Sequence, residues 1–169
     1  NLERLYRYTT PVQSIVGDTL ARQLCVLADS MRRQVGVFID RAGHVTDVIV
    51  GDDHQLFLPD VGRLRVAKSR LRGIRLVHVH LKGEALTDDD LTDLSRLGLD
   101  LVAALTLRDG RPEALHVGHI VPSRRGLAIG EVRPHTTLAP MPWPGRDMPW
   151  LDFIDALEEE LGHATPEIK

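Results

Sequence analysis

Apolar positions recur every three to four residues between Asp18 and Arg33, at Leu20, Leu24, Leu27, Ala28 and Met31. That spacing predicts an amphipathic helix with Asp18 as its N-cap. The pattern then changes to β-rich runs, Val35–Asp40 and Val45–Val50, around Arg41-Ala42-Gly43-His44, which predicts a hairpin. Gly51-Asp52-Asp53 predicts a turn and Gln55-Leu56-Phe57-Leu58 a third strand. Ile74–His80 reads as a further strand, followed by a loop over Leu81–Leu86 and a helix from a Thr87 N-cap to about Leu97, stopped by Gly98. Leu101–Leu107 and Glu113–Val121 flank Arg108-Asp109-Gly110-Arg111 as a second hairpin. Leu2–Tyr8 predicts a short helical lead-in ended by Thr9-Thr10-Pro11. Leu151–Leu161 predicts a closing amphipathic helix with Phe153, Ile154, Leu157 and Leu161 on one face. Between the hairpin and that helix, Pro122–Pro149 is rich in Pro, Gly and Arg and is expected to run over the surface. The order predicts an α/β (α+β) fold, a mixed β-sheet flanked by helices. Residues 1–16 read as lead-in, 17–121 as the domain proper, and 122–169 as a Pro-rich extension and helix packed on the same domain.

The 169 residues suit one domain. An apolar content of 43% with only 4% aromatic residues predicts an aliphatic core. A net charge of −3 argues against a global basic field for nucleic acid. Cys25 is the single cysteine, so an intramolecular disulfide is excluded and a reducing, cytoplasmic setting is expected. No apolar run reaches membrane-spanning length and no signal-peptide pattern opens the chain, so no membrane partner is expected. The chain opens on Asn1 rather than Met, as a fragment of a longer protein would.

The densest chemistry is His78-Val79-His80 with Asp88-Asp89-Asp90 behind it. Imidazoles one residue apart on a strand share a face. A carboxylate from the next helix would complete three ligands of the kind zinc accepts. The competing reading is structural: the imidazoles bond the Asp side chains at the helix start. His116 and His119 have odd spacing on one strand, which sends them to opposite faces, one to the surface and one towards this site. His44 and His54 fall in turns and are expected to be solvated. Arg63, Arg65, Lys68, Arg70, Arg72 and Arg75 follow one another with no acidic residue between them. They form either a solvated loop or a contact for RNA phosphates. Trp143 and Trp150 either pack the tail onto the domain or form a docking surface.

The run Val35-Gly36-Val37-Phe38-Ile39-Asp40, the turn at Val48-Ile49-Val50-Gly51, and His78-Val79-His80 followed by Thr87-Asp88-Asp89-Asp90-Leu91 together resemble the JAB/MPN domain in its RadC-like form. The likeness spans roughly residues 34–121 and implies a JAB/MPN, cytidine-deaminase-like architecture. In that family a Glu on an early strand is the general base, His-x-His and an Asp hold zinc, and a Ser helps hold the oxyanion. The resemblance therefore implies His78, His80 and Asp90 as zinc ligands and Thr87 in the Ser position. Two departures stand out. Gln34 occupies the place of the base, and an amide cannot accept a proton as a carboxylate can. The loop from His80 to Thr87 is one residue short, with Leu81 where a Pro is typical; restoring the length would move the Ser and Asp places to Asp88 and Leu91. Glu84, in that loop, is a substitute base that no motif supports.

A second resemblance reaches across the chain. Leu2-Glu3-Arg4-Leu5-Tyr6, Arg33-Gln34-Val35-Gly36-Val37, Leu71-Arg72-Gly73-Ile74-Arg75-Leu76-Val77-His78, Asp90-Leu91-Thr92-Asp93-Leu94 and the closing Leu151–Glu160 are similar to an N-terminal region that precedes some HflX-type GTPases. This implies an accessory domain, regulatory or binding, of a cytoplasmic, ribosome-associated, GTP-binding host. Its partners would be the ribosome or the host's own GTPase domain. GTP and Mg belong to that other domain, since this chain carries no G-x-x-x-x-G-K-[ST] loop. The alternative is a zinc-dependent metallopeptidase or isopeptidase of the JAMM type.

Overall fold

The computed structural model describes residues 2–57, 73–120, 135–137, 139–150 and 155, with 93–95, 120 and 135–137 described in backbone only. Nine strands and two α-helices are set out among them, after a 3-10 helix over Leu2–Arg7. They are β1 (Ser14–Val16), α1 (Asp18–Met31), β2 (Val35–Ile39), β3 (Val45–Val50), β4 (Arg75–His80), α2 (Asp88–Leu97), β5 (Leu101–Arg108), β6 (Arg111–Ile120), β7 (His135–Thr137), β8 (Met141–Pro142) and β9 (Met148–Pro149).

The main sheet runs β3-β2-β4-β5-β6-β7, with β8 also on β6. All neighbours are antiparallel except β4 and β5, which are parallel and joined through α2. This is a mixed sheet in an α+β molecule, as the pattern predicts. Helices cover both faces. On one face α1 buries Leu20, Ala21, Leu24 and Cys25 against Val37, Val77, Val79, Ala103, Leu105 and Val117. On the other, α2 presents Leu91 and Leu97 to Phe38, Leu76, Leu99 and Val102. Residues on β4 therefore alternate between two apolar layers, which explains why all six are buried. Burial and the charge of Asp29 push the Cys25 thiol up to about 12, so it stays neutral in the core.

The helix starts differ from each other in a way the sequence half shows. Thr87 caps α2 as expected: its Oγ1 accepts from Asp90 N at 3.2 Å, and Asp90 Oδ2 accepts from Thr87 N at 2.9 Å. This is a capping box with Asp in the place of Glu. Asp18 does not cap α1. Gly17 holds the N-cap position without a side-chain bond, and Asp147 Oδ1 accepts from Asp18 N at 2.7 Å instead. Asp18 turns outward to Arg22 and to Trp143 Nε1. A long-range partner took the role that local spacing assigned to Asp18.

Two further expectations change. Gln55–Phe57 is not a strand: Leu56 makes a single bridge to Gly51, and Asp52 Oδ1 accepts from the N–H groups of His54 and Gln55 at 2.8 Å each. A local carboxylate takes the donors a ladder would need. The stretch 122–149 contributes three short strands where described, and β9 pairs with β1. Of the closing helix over 151–161, only Asp155 is described, and the rest lies outside the described residues.

The second hairpin is as expected, its turn carried by Asp109 and Gly110 at positive φ. Trp143 and Trp150 pack on the core, the latter beneath the Arg75 guanidinium at 5.2 Å. No helix among the described residues is long and apolar enough to cross a membrane.

Candidate metal centre

The site is built on β4, the strand beside the crossover. His78 and His80 leave it on the α2 face and are 0% and 1% exposed. Asp90 reaches them from the first turn of α2. His78 Nε2 lies 3.2 Å from Asp90 Oδ1, His80 Nε2 lies 3.3 Å from Asp90 Oδ2, and the two Nε2 atoms are 2.9 Å apart. Ligands about 2.0–2.1 Å from a tetrahedral ion stand roughly 3.3 Å from one another. The donor set fits such an ion. One ligand atom from each of the three residues lies within 4.8 Å of the others.

Tautomer chemistry sharpens this. His80 Nδ1 lies 2.8 Å from the Glu84 carbonyl, which can only accept, so Nδ1 carries the proton. In its neutral form His80 aims the lone pair of Nε2 at a carboxylate oxygen and at the Nε2 of His78, whereas its charged form donates to Asp90. With His80 neutral, one proton on His78 cannot satisfy all three groups. A cation in their midst would, and a ring whose other nitrogen donates to a carbonyl is how ligating histidines are held. His78 Nδ1 is buried with no full hydrogen bond, although a backbone contact with Ala103 favours the protonated ring.

The electrostatics follow from burial and from Asp90. Burial lowers the proton affinity of His78 despite Asp90 beside it. Burial acts the same way on His80, but the bonds to Asp90 and the Glu84 carbonyl win and raise it. Asp90 itself, though desolvated, is held well below the usual carboxylate range by the two imidazoles. It is an anion at any working pH.

The remaining expected residues fall around this triad. Gln34 is 2% exposed. Gly36 pairs with His78, so continuing the β2–β4 register sets Gln34 opposite His80, on the site face. Thr87 stands beside Asp90 through the reciprocal cap, and Asp90 faces the histidines while Leu91 packs against the core. Glu84 lies in the loop with Oε1 buried and without a hydrogen bond, and its charge is felt at His80.

His116 continues the lateral row His78–Ala104–His116 on the site face, where the positive charge of His80 adds to burial in lowering its proton affinity. His119 points to the other face and is buried at 7% exposure, so neither imidazole is a surface group of the kind expected for one of them. His44 and His54 are exposed in turns, as expected.

Arg75 corrects the RNA-contact reading for its own position. It is 4% exposed, and its guanidinium donates to the carbonyls of Ile15, Asp40 and Ser14 at 2.6, 3.0 and 3.3 Å. Its hydrophobic neighbours in sequence gave the signal, since Arg75 sits inside the apolar run Ile74–Val79. Arg63, Arg65, Lys68, Arg70 and Arg72 lie outside the described residues.

Two features escaped the pattern reading. A Cβ on Gly36 would lie 2.8 Å from the Cβ of His78, so glycine is what lets His78 sit against β2. A polar cleft of about 400 Å3 also opens beside the triad, between the turn residues 54–56 and Thr87 with the α2 residues Asp89, Asp90, Thr92 and Arg96. The i, i+3, i+7 spacing of Asp89, Thr92 and Arg96 could have revealed its helical wall.

No protein-family model matches the chain, and a search of the curated proteins finds no match to it.

Proposed function

We propose that this chain is a metal-holding module with a JAB/MPN-like layout, serving as the N-terminal accessory domain of an HflX-type GTPase. Zinc is the first ion to test. The observation that carries the metal reading is the convergence of two Nε2 lone pairs and an ionised carboxylate in a buried space, with His80 turned into its ligating tautomer by Glu84 O. The role assigned to the ion is binding or regulation rather than hydrolysis, because Gln34 holds an amide where the family places its base. The host assignment draws its support from the sequence likeness that extends from Leu2 to the closing 151–160 segment. In this reading the partner is the ribosome or the host's GTPase domain, and GTP and Mg stay with the latter.

The test is metal content by mass spectrometry after zinc loading and dialysis. One zinc per wild-type chain is expected, and none in His78→Ala or His80→Ala. A folded wild-type protein that keeps no metal overturns the proposal.

One observation favours a second reading, a zinc-dependent peptidase or isopeptidase. The buried, unbonded Glu84 Oε1 beside His80 is a proton acceptor in search of a partner. Thr87 would then supply its hydroxyl near the reacting oxygen. Turnover of peptide or isopeptide substrates by the zinc-loaded protein, abolished in Glu84→Gln with zinc retained, would establish it. Absence of turnover in wild type leaves the binding role.

A further inference from the structure

The cleft beside the triad has two unlike ends. Asp89, Thr92 and Arg96 stand at i, i+3 and i+7 on α2 and so share one face. Thr87 and Asp90 close the end next to the candidate metal centre, and Arg96 closes the other. The opposing wall is preformed. Asp52 Oδ1 fixes the turn by accepting from His54 and Gln55 N–H, and Gln34 N donates to Asp52 O at 2.7 Å. Only glycine fits at position 51, where a Cβ would lie 1.7 Å from Gln55 O. A rigid polar cleft of about 400 Å3 is of small-ligand size, not of the size that receives a folded partner.

Arg96 is exposed and makes no ion pair among the described residues. Its planar fork suits a carboxylate, which it can bind through two parallel hydrogen bonds. From Asp90 to Arg96 the helix rises about 9 Å. An extended chain advances roughly 3.3–3.6 Å per residue, so about three residues bridge that distance. Thr92 stands between the two ends, and Asp89, beside Asp90 at the metal end, can accept main-chain N–H groups and repels a second negative charge. Gln55 opposite can donate or accept.

The geometry points to a cleft that binds the free C-terminal end of an extended peptide, its carboxylate on Arg96 and its main chain running past Asp89 and Gln55 towards the metal centre. Only the far end of this assignment rests on the metal reading. The Arg96 end stands without it.

The test is an NMR titration of the zinc-treated chain with acetyl-trialanine as the free acid and as the C-terminal amide. The acid is expected to bind about tenfold tighter, the usual worth of a charge-assisted pair. Arg96→Gln should reduce the acid to the level of the amide while zinc content and fold are unchanged; Arg96 is exposed, so the variant folds. Equal binding of acid and amide, no binding of either at millimolar concentration, or a preference that survives Arg96→Gln overturns the inference. A wild-type protein that holds no zinc but still prefers the acid overturns the metal reading and upholds this one.

Discussion

At the residue scale, the site depends on a contact that has no chemistry of its own. Gly36 faces His78 across the β2–β4 ladder with no room for a methyl group. The other two neighbours of such a methyl, Leu56 Cδ1 and Val77 O, leave no escape on either side. Gly36→Ala is therefore expected to displace His78 or part the strands, lowering the unfolding free energy by roughly 1–3 kcal/mol as overpacked sites do. Denaturant unfolding measures the loss, and metal titration should show weaker binding in the same variant. An unchanged midpoint would mean that His78 is free to yield. The pairing of His78 with His80 and the Thr87 helix start were legible because strand alternation and capping act over a few residues, whereas the choice of Asp90 among three aspartates came from the family likeness. Gly36 was not legible, since its meaning depends on which strand lies beside it.

At the element scale, Arg75 joins three parts of the chain. Its guanidinium holds the carbonyls of β1 and of the β2–β3 hairpin, and it lies over Trp150 next to β9. Burial pulls its pKa down to about 10 against the charges of Asp40 and Asp100, so it remains a cation at neutral pH. Removing it strands buried acceptors. Arg75→Met should reduce stability by roughly 2–4 kcal/mol by chemical denaturation, with no loss of metal, because the triad lies at the other end of β4. The elements themselves were read well wherever periodicity or turn chemistry is local: α1, the two hairpins and the Thr87 start. The misread places are those where a side chain, near or distant, took backbone donors that the pattern assigned elsewhere. Asp147 replaced Asp18 as the cap of α1, and Asp52 turned Gln55–Phe57 into a bend. The pairing of β1 with β9 joins segments far apart in sequence, and no local signal announces it.

At the scale of the whole molecule, ion binding and folding are linked. The three donors come from a strand and from a helix start that only the folded chain brings together, so zinc at a hundredfold excess over its Kd should add about 2.7 kcal/mol of stability. Thermal unfolding with and without chelator checks this. The effect should grow as pH rises through the imidazole range, since protons compete for the same nitrogens. Without metal, the two histidines pull in opposite directions. His80, raised overall by its bonds to Asp90 and Glu84 O despite burial, stabilises most below the unfolded imidazole value, and the contribution fades as pH rises through its folded value. His78, lowered by burial, contributes above the unfolded value and loses that as pH falls. A zinc shift in melting temperature that is flat with pH would count against imidazole ligation.

The Asp90 carboxylate has two jobs at once. One oxygen faces His78, while the other receives the first N–H of the capping box as well as facing His80. Any cation seated among the imidazoles would draw on the same group that starts α2, and α2 forms one side of the cleft. Occupancy at the centre and the orderliness of that side are thereby mechanically tied. Filling one should still the other, a signal the fold can pass on with no moving part larger than a single side chain.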